Sequence, residues 1–542
     1  MFLKTKNQKR NSLIGCFIIS LVAISIFLAD ISHTGLWYPD APSHALNGVF
    51  YKDMIEDLGF FHPVSYAERY YVQYPGLTVG LYPPVFYTVE ALFFKVLGIS
   101  PLSARLTILS FSLIGVNIFF LLCRHWFPLW LSVLGSILYL LQPAILFGQK
   151  NVMLEMPALA MSMTALYCLY VGVDRREQWA LFLAPLFTVL AFLTKQNAIF
   201  LLPIWLVWII GGRKWNLIKS GYLISGVLIG TVVLIPWAAV SLTIGRSYVT
   251  AQVLQRSHIW ANCLYYLRQS PEILTYPVIL LVITSVILVA RLRKHDGYRF
   301  ALLWGAAGLL SLLPVHYREP RFAVFLVPAV IILSMQVIWL FREKFTFFQH
   351  RKVYAIVMIA LICLHLNPLV VWGRRDIQGF DQAAEFVVRD PDCVSVLYDG
   401  YFNGNFIFHM RARDEGRRIF VFRASKVIFS TKMMLELGYN DLIKEVSEFH
   451  DVLERYSVKY IVQEEENLLN TPANRKLRQW VRAPKFRLVR EYSIPCEGFR
   501  GFGDLLVYKY SDYEAKPIKQ IDLDMPVLGR TFGVKVEREN YP

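Results

Sequence analysis

Residues 13–29, with the sequence LIGCFIISLVAISIFLA, form an uninterrupted apolar segment long enough to enter a lipid bilayer. Four basic residues precede this segment, and no clean small-residue cleavage site follows it, so we interpret it as a retained first membrane span. Ten further apolar runs of comparable length follow, at about 106–122, 129–147, 157–173, 179–193, 198–210, 218–242, 273–290, 300–315, 322–340 and 353–371. The sequence therefore predicts a polytopic α-helical membrane protein with about eleven transmembrane helices.

The overall composition supports this interpretation. Of the 542 residues, 55% are hydrophobic and 18% are charged, and the mean hydropathy is +0.42. Soluble domains contain about 25% charged residues, so a wholly soluble, disordered or fibrous chain is excluded. The net charge of +16 would suit nucleic-acid binding. Much of it lies in short connections between apolar runs, where the positive-inside rule explains it, and we expect no nucleic-acid partner.

The distribution of Lys and Arg predicts the topology. Basic residues concentrate in alternate connections, which the positive-inside rule places in the cytoplasm together with the N-terminus. The first long loop, residues 31–103, then lies on the outer face, as do the short loop 148–156 and the whole C-terminal region. The basic residues of the cytoplasmic connections are Arg124, Arg175, Arg176, Arg213, Lys214, Lys219, Arg291, Arg293, Lys294, Arg342, Lys344, Arg351 and Lys352.

We expect two domains, a transmembrane domain at 1–372 and an extracytoplasmic α/β domain at 373–542. The transmembrane domain includes the first outer loop, 31–103. Within it, the helical spacing of apolar residues at 45–58 predicts a helix lying on the membrane surface, and a helix packed on a soluble domain is the alternative. Segment 82–98 is apolar but contains Glu90 and Lys95, which favours an interfacial or re-entrant helix.

The C-terminal region differs in pattern from the rest of the chain. Short β-branched or apolar runs at 394–398, 458–462 and 505–510 predict strands, and residues 441–455 have helical periodicity. These patterns together predict a small α/β domain. Cys393 and Cys496 lie in this region and could pair if it is outside the cytoplasm.

Ionisable residues at the outer membrane edge are the candidates for chemistry, because such groups are costly to place there. Asp40 lies in the stretch WYPDAPSH at 37–44, and Glu155 precedes Met156-Pro157. Each acid has a purely structural alternative, as a helix cap or as a partner of the helix dipole. The basic candidates could likewise be interfacial anchors. They are Arg69, Lys150, Lys195, Arg318 and Arg321, with His316 beside the last two.

Five short motifs in this order resemble a known family. They are Trp37-Tyr38-Pro39-Asp40, Tyr82-Pro83-Pro84, Glu155-Met156-Pro157, Thr194-Lys195-Gln196 and Arg321-Phe322 with the later Val327-Pro328. The set is similar to the GT-C glycosyltransferases, in the branch that contains dolichyl-phosphate-mannose–protein mannosyltransferase-like and aminoarabinose-transferase-like enzymes. The resemblance covers about residues 13–340. The chain departs from the family where Ala41 replaces the second acid of an Asp-Glu pair and Gln196 replaces a glycine.

The resemblance implies a membrane glycosyltransferase that moves a sugar from a polyprenyl-phosphate donor to an acceptor hydroxyl, with inversion. The acceptor, a lipid, glycan or protein, would be on the outer face of the cell membrane. Asp40 would be the general base, and Glu155 a second catalytic acid that orients the acceptor or stabilises the Asp40 site. No metal or other cofactor is expected, since a lipid monophosphate carries little charge. The substrate-binding candidates are Arg69, Tyr82, Lys150, Lys195, His316, Arg318 and Arg321.

Two other functional classes remain open at this stage. A membrane transporter or lipid flippase would be expected to carry ionisable residues near mid-span and two related halves. Here the polar candidates lie on one face, and no halves are evident in the sequence. A non-catalytic membrane assembly protein would tolerate replacement of Asp40 but not deletion of residues 380–542.

Overall fold

The chain forms two compact units, which we describe separately. The computed structural model describes residues 6–29, 35–78, 80–211, 214–243, 259–344, 359–366, 377–431, 439–466, 471–494, 503–525 and 530–536. The first unit comprises Met1–Ser32, Gly80–Phe86 and Arg105–Arg374, and the second His33–Val79, Tyr87–Ala104 and Arg375–Pro542. Most of the first outer loop, which the sequence assigned to the transmembrane domain, thus belongs to the same unit as the C-terminal region.

The first unit is built of apolar helices. Their bounds are Lys6–Leu28, Pro101–Cys123, Leu129–Leu140, Pro143–Lys150, Glu155–Asp174, Gln178–Phe192, Leu201–Leu206, Gly221–Thr243, Ile259–Arg268, Ser270–Ile273, Tyr276–Ile287, Val289–Leu292, Asp296–Leu312 and Val327–Lys344. Short 3₁₀ or π turns lie at Gln196–Phe200, Val207–Gly211, Trp215–Lys219 and Pro320–Leu326.

Ten of the eleven predicted spans coincide with a helix or a helix pair. Among the described residues, five helices are long and apolar enough to cross a membrane, or six if the pair Leu129–Leu140 and Pro143–Lys150 counts as one bent span. The 65° bend falls just before Pro143, whose ring and missing N–H interrupt helical hydrogen bonding. The count of about eleven crossings stays a prediction, because the run at 353–371 lies largely outside the described residues.

Helix Glu155–Asp174 is the centre of the first unit. Its apolar window is 94% buried, whereas that of Gly221–Thr243 is 22% buried and exposes its large side chains, as a lipid-facing helix does. Helix Gln178–Phe192 packs between these two helices. The approach of Gly221–Thr243 is close, because a Cβ on Gly226 would lie 2.3 Å from the Phe182 carbonyl oxygen. The position of Glu155 at the start of the most buried helix is therefore firmly set.

The second unit contains the predicted α/β domain. Its strands are β1 Ser395–Asp399, β2 Phe420–Arg423, β3 Phe429–Thr431, β4 Tyr439–Asp441, β5 Val458–Glu464, β6 Phe486–Tyr492, β7 Leu505–Tyr510, β8 Gln520–Met525 and β9 Arg530–Lys535. Five of them form a sheet of order β2-β1-β5-β7-β6, in which β1 pairs in parallel with β2 and β5 while β7 pairs antiparallel with β5 and β6. Two further antiparallel pairs are β3–β4 and β8–β9. The helices are Phe380–Val388, Asn403–Arg413, Ala424–Val427, Val446–Arg455 and Pro472–Trp480.

Each face of this sheet has its own apolar core. On β1, Val396 and Tyr398 point into one core and Leu397 into the other, as the two-residue period of a strand requires. Strands β1 and β5 are buried along their whole length, which is typical of central parallel strands covered on both faces.

Helices Ala41–Glu56 and Pro63–Gln73 of the first outer loop complete the first of these cores. The loop also contains helix Val85–Leu97 and a 3₁₀ turn at Gly59–Phe61. Leu46, Phe50 and Tyr70 are among the buried residues of that core. Helix Ala41–Glu56 packs on helix Asn403–Arg413. In the structure, segment 45–58 is therefore a helix packed on the C-terminal domain, which agrees with the alternative interpretation. It differs from the membrane-surface helix that the sequence favoured.

Cys496 lies outside the described residues, so its possible pairing with Cys393 stays a prediction.

Candidate functional site

Glu155 is the centre of a buried ion cluster in the first unit. It is the first residue of helix Glu155–Asp174, and its side chain is 1% exposed. Lys195, in the connection after helix Gln178–Phe192, donates a hydrogen bond from Nζ to Glu155 Oε1 at 2.6 Å. The Arg321 Nε atom lies 3.6 Å from the same oxygen. Burying ionisable groups costs free energy, and pairing them offsets this cost only in part. Apolar side chains would fill the same space at lower cost, so packing alone does not explain the cluster.

The two cations of the cluster share further partners. Arg321 also forms an ion pair with Glu319, and its Nη1 lies 3.7 Å from Met153 Sδ. Lys195 Nζ and the Arg321 guanidinium lie 4.9 and 5.3 Å from the centre of the Phe322 ring. Burial lowers the pKa of Lys195, and Arg321 acts in the same direction, whereas Glu155 opposes both. The cluster therefore holds two cations in fixed positions within a largely apolar environment.

The structure also brings two of the sequence motifs side by side. Gln196 Nε2 donates to the Leu81 carbonyl oxygen at 3.2 Å, and the Val85 N–H donates to the Leu193 carbonyl oxygen at 3.1 Å. The segment with half-buried Tyr82 therefore lies along the segment with Lys195. Both segments belong to the first unit.

The other basic candidates of the first unit lie at loop and helix ends. Lys150 ends helix Pro143–Lys150 and is half-buried, and His316 is exposed in the connection before Pro320–Leu326. Arg318 stacks over the Tyr265 ring at 6.0 Å, and its carbonyl oxygen accepts a hydrogen bond from the Tyr265 hydroxyl at 3.3 Å. Of the predicted bases, the structure joins Lys195 and Arg321 directly to Glu155.

Asp40 belongs to the second unit, where it precedes helix Ala41–Glu56. Its side chain is half-buried and makes no capping hydrogen bond to that helix. The alternative role of Asp40, as a side-chain cap of this helix, is therefore not observed in the structure. One turn later, His44 Nδ1 lies 2.8 Å from the Tyr87 hydroxyl, and both side chains are buried. Burial raises the pKa of the Tyr87 hydroxyl, and the nearby Glu90 and Asp40 carboxylates act in the same direction.

Glu90 is a second buried acid in this region. It is 0% exposed, and neither carboxyl oxygen has a hydrogen-bond partner in the described part of the chain. Burial raises the pKa of Glu90 well above its ordinary value. It packs closely on helix Ala41–Glu56 at Gly48, because a Cβ there would lie 2.2 Å from Glu90 Oε2 and would force this side chain to shift.

Two arginines of the C-terminal domain hold helix Ala41–Glu56. Arg411 forms a two-pronged pair with buried Asp53, with Nε–Oδ2 and Nη2–Oδ1 distances of 2.8 and 2.7 Å. Arg417 does the same with Asp57, at 2.5 and 2.8 Å. We call these two pairs the arginine clamp. Such paired bonds fix orientation as well as distance, so they set the position of the helix that Asp40 precedes.

Tyrosines of helix Pro63–Gln73 reinforce the clamp. The Tyr70 hydroxyl donates to Asp53 Oδ2 and the Tyr66 hydroxyl donates to Asp57 Oδ2, each at 2.6 Å. Arg69, a predicted substrate-binding residue, lies on the same helix and is half-buried. It therefore belongs to the second unit, whereas Lys195 and Arg321 belong to the first.

Sequence reasoning missed several of these residues. The four-residue spacing between Asp40 and His44 puts both at one side of a helix and could have indicated His44. Nothing local could have indicated the pair of Asp53 and Arg411, whose positions are 358 residues apart. Within the described ranges, no group of three or more His, Cys, Asp or Glu side chains is arranged to hold a metal ion.

Comparisons with known proteins agree with the sequence motifs. Residues 82–240 match the family model described as dolichyl-phosphate-mannose-protein mannosyltransferase. The fold is similar to that of ArnT from Cupriavidus metallidurans bound to undecaprenyl phosphate, with a TM-score of 0.59 and 14% identity over 92% of this chain and 98% of that chain. The apo state of the same protein gives a TM-score of 0.59 and 14% identity, with 91% and 98% coverage. A comparison with curated proteins found no match.

These matches confirm the resemblance to GT-C glycosyltransferases that the motifs predicted. The chain is mannosyltransferase-like over 82–240, and its fold is ArnT-like, with several apolar helices followed by a C-terminal α/β region. It is accordingly a membrane protein.

Proposed function

We propose that the protein is an integral-membrane glycosyltransferase that moves a sugar from a polyprenyl-phosphate donor to an acceptor hydroxyl on the outer face of the membrane. The family model over residues 82–240 supports the glycosyl transfer. The structural similarity to ArnT, crystallised with undecaprenyl phosphate, supports the class of donor.

The observation that carries the proposal is the buried cluster of Glu155, Lys195 and Arg321. A sugar leaves a lipid phosphate only as negative charge grows on the phosphate oxygens, and fixed cations in an apolar site stabilise that charge strongly. Lys195 supplies a compact charge, and Arg321 supplies a planar fork that suits phosphate. The 2.6 Å bond from Lys195 to Glu155 holds the ammonium in place before the donor binds.

We assign the general base to Asp40. The acceptor oxygen attacks the anomeric carbon while Asp40 takes the hydroxyl proton. The bond from that carbon to the phosphate oxygen breaks, and the polyprenyl phosphate leaves as an anion. The new bond forms on the face opposite the leaving group, so the configuration inverts. Glu155 acts in this scheme by holding the two cations.

The transfer reaction itself tests the proposal. Purified protein in nanodiscs is incubated with a panel of polyprenyl-phosphate sugars and acceptors, and the anomeric configuration of the product is determined by NMR. We expect Asp40→Asn to lower kcat by about 10²–10⁴-fold, the usual contribution of a general base. We expect Lys195→Met to lower it by about 10²-fold or more, as loss of one charge-stabilising group does.

A matched control exists on the same unit. Lys214 forms a 2.5 Å ion pair with Asp174, and both side chains are partly exposed. Lys214→Met removes the same charge and should leave kcat within about twofold, because an exposed ion pair contributes little. Transfer should also persist in the presence of a chelator, since we propose that no metal is required. Equal turnover by wild type and Asp40→Asn, or a retained configuration, would contradict the mechanism.

A further inference from the structure

The second unit contains a cleft that the proposed transfer site does not use. It lies between helices Phe380–Val388 and Asn403–Arg413, beside Gly35 and Ser100, and its volume is about 620 Å³. We call it the Asp381 cleft after a residue on its wall. The volume falls within the roughly 300–1,000 Å³ typical of small-molecule sites. The cleft can therefore hold a ligand of several rings.

The charges that line the Asp381 cleft balance. Asp381 pairs with Arg413 at 3.5 Å, and Glu385 pairs with Arg389 one turn along the same helix. Two acids and two bases give no net charge, so no strong preference for a polyanion or a polycation is expected. The floor is apolar and includes Ile377, Phe380 and Val388. Such a lining suits an uncharged ligand with both polar and apolar faces.

His409 also lines this cleft and holds Arg413 in place. The Arg413 Nη1 atom lies 3.2 Å from His409 Nδ1, and because arginine can only donate, Nδ1 accepts. Burial lowers the pKa of His409 to about 4, so the ring is neutral and its proton is on Nε2. The cleft thus offers arginine donors together with carboxylate acceptors. A hydroxyl group both donates and accepts, and this combination matches it.

An adjoining cleft extends the same surface with aromatic side chains. It measures about 490 Å³ and shares Glu385 and Arg389 with the Asp381 cleft. Its lining includes the half-buried rings of Phe386 and Tyr492, with buried Tyr460 beneath its polar residues. Aromatic rings pack well on the apolar C–H faces of sugar rings, while their polar neighbours bind the hydroxyls. The combined surface is long enough for more than one sugar.

The position of the cleft along the chain connects it to the proposed general base. Gly35 lines the cleft and precedes Asp40 by five residues. Five residues of fully extended chain span about 18 Å, so Asp40 lies no farther than that from Gly35. A short oligosaccharide bridges such a distance.

We propose that the Asp381 cleft and its aromatic extension bind an uncharged oligosaccharide, which is the acceptor of the transfer. This inference rests on the proposed function and names its acceptor class. The same sugar rings could be presented as a soluble glycan or as the headgroup of a glycolipid.

Two variants of the full-length protein test the inference. Ala412→Trp fills the cleft without removing an ion pair, and the double variant Asp381→Asn with Arg413→Gln removes one pair at constant net charge. Lys485→Met is the matched control, because Lys485 forms an exposed pair with Asp512 outside both clefts. Thermal unfolding of each variant establishes that it is folded.

The first measurement is independent of catalysis. Saturation-transfer NMR in nanodiscs reports binding of neutral linear tri- to pentasaccharides, with or without a glycolipid carrying the same oligosaccharide in the bilayer. We expect binding to the wild type and at least tenfold weaker binding to both cleft variants, with Lys485→Met unchanged. Competition by the glycolipid distinguishes the membrane-linked source from the soluble one. Equal binding by wild type and cleft variants overturns the inference.

The second measurement uses the transfer reaction. Cleft variants should raise the acceptor KM at least tenfold while the donor KM stays within about twofold. An unchanged acceptor KM, or transfer to an unglycosylated peptide that is insensitive to the cleft variants, overturns the inference but leaves the proposed function standing. Absence of transfer in the wild type with every donor overturns the proposed function, while the NMR result still decides whether the cleft binds sugars.

Discussion

Among single residues, Glu464 has the environment with the clearest consequence for stability. It ends strand β5 and is buried, and its carboxyl accepts hydrogen bonds from the Tyr398 hydroxyl and from the N–H groups of Tyr401 and Phe402, at 2.5, 2.8 and 2.8 Å. The carboxyl therefore occupies the start of helix Asn403–Arg413, at the carboxyl ends of β1 and β5. In an open α/β sheet, this position beside the switch in strand order commonly binds a ligand. In this protein the Glu464 side chain occupies that position.

Burial raises the pKa of Glu464 from 4.5 to about 7, and this makes the stability of the second unit depend on pH. The folded state holds the proton more tightly than the unfolded state, so the stabilising contribution is complete below pH 4.5 and is lost as the pH rises to about 7. The loss amounts to about 3 kcal/mol at 1.36 kcal/mol per pH unit. We expect Glu464→Gln to flatten this part of the profile, as measured by thermal unfolding between pH 4.5 and 8. A variant profile parallel to that of the wild type would contradict this assignment.

The candidate residues illustrate what sequence can and cannot indicate. Glu155, Lys195 and Arg321 were predictable because ionisable groups at the ends of apolar runs are costly and rarely incidental. Their meeting in one cluster also followed from a topology that put all three on one side. Glu90 was visible as an acid in an apolar helix, but its complete burial depends on Gly48 of another helix, which no local pattern specifies.

At the level of elements, the arginine clamp makes the position of helix Ala41–Glu56 depend on the C-terminal domain. Arg411→Met would leave buried Asp53 with Lys52, at 3.4 Å, as its remaining cation, which should lower stability by up to about 3–5 kcal/mol. We expect faster backbone hydrogen exchange in helix Ala41–Glu56 and a lower kcat. The double variant Arg411→Met with Asp53→Leu should recover most of the stability, since an apolar pair replaces an ionic one.

The control for the clamp is Arg418, which lies 3.7 Å from Asp414 and is half exposed. Arg418→Met should change stability by less than about 1 kcal/mol. Exchange rates in helix Ala41–Glu56 that are the same in Arg411→Met and in the wild type would show that the clamp does not hold the helix.

The elements themselves were predictable to different degrees. The predicted strands at 394–398, 458–462 and 505–510 correspond to β1, β5 and β7, because central strands are continuous apolar runs. Strand β6 was missed, since it lies at the edge of the sheet and alternates with charged residues. The sequence pattern of helix Ala41–Glu56 was interpreted as membrane association. An amphipathic pattern shows that a helix has an apolar face, but it does not show whether protein or lipid covers that face.

At the scale of the whole molecule, contacts within the second unit constrain the topology. Asp53 in the first loop and Arg411 in the C-terminal domain bond directly, so both segments lie on the same side of the membrane. The chain must then cross an even number of times between them, and the ten apolar runs between 106 and 371 satisfy this condition.

Cysteine labelling on intact cells tests this topology. We expect an impermeant maleimide to label His62→Cys and Asp392→Cys, both exposed in the second unit, above the background of the native cysteines. Exposed Arg176→Cys, in a predicted cytoplasmic connection, should react only after permeabilisation. Labelling of one second-unit position without the other would contradict the even number of crossings, and labelling of Arg176→Cys alone would reverse the orientation.

The separation of 358 residues between Asp53 and Arg411 has a consequence for biogenesis. At about 5–20 residues per second, a ribosome needs roughly 20–70 s to travel from one to the other. During that time the nascent first loop has left the translocon without the strands and helices that will cover it. Until then its apolar side chains and the Asp53 carboxylate lack the partner that is synthesised last, so we expect chaperones to bind this loop and proteases to cleave it early.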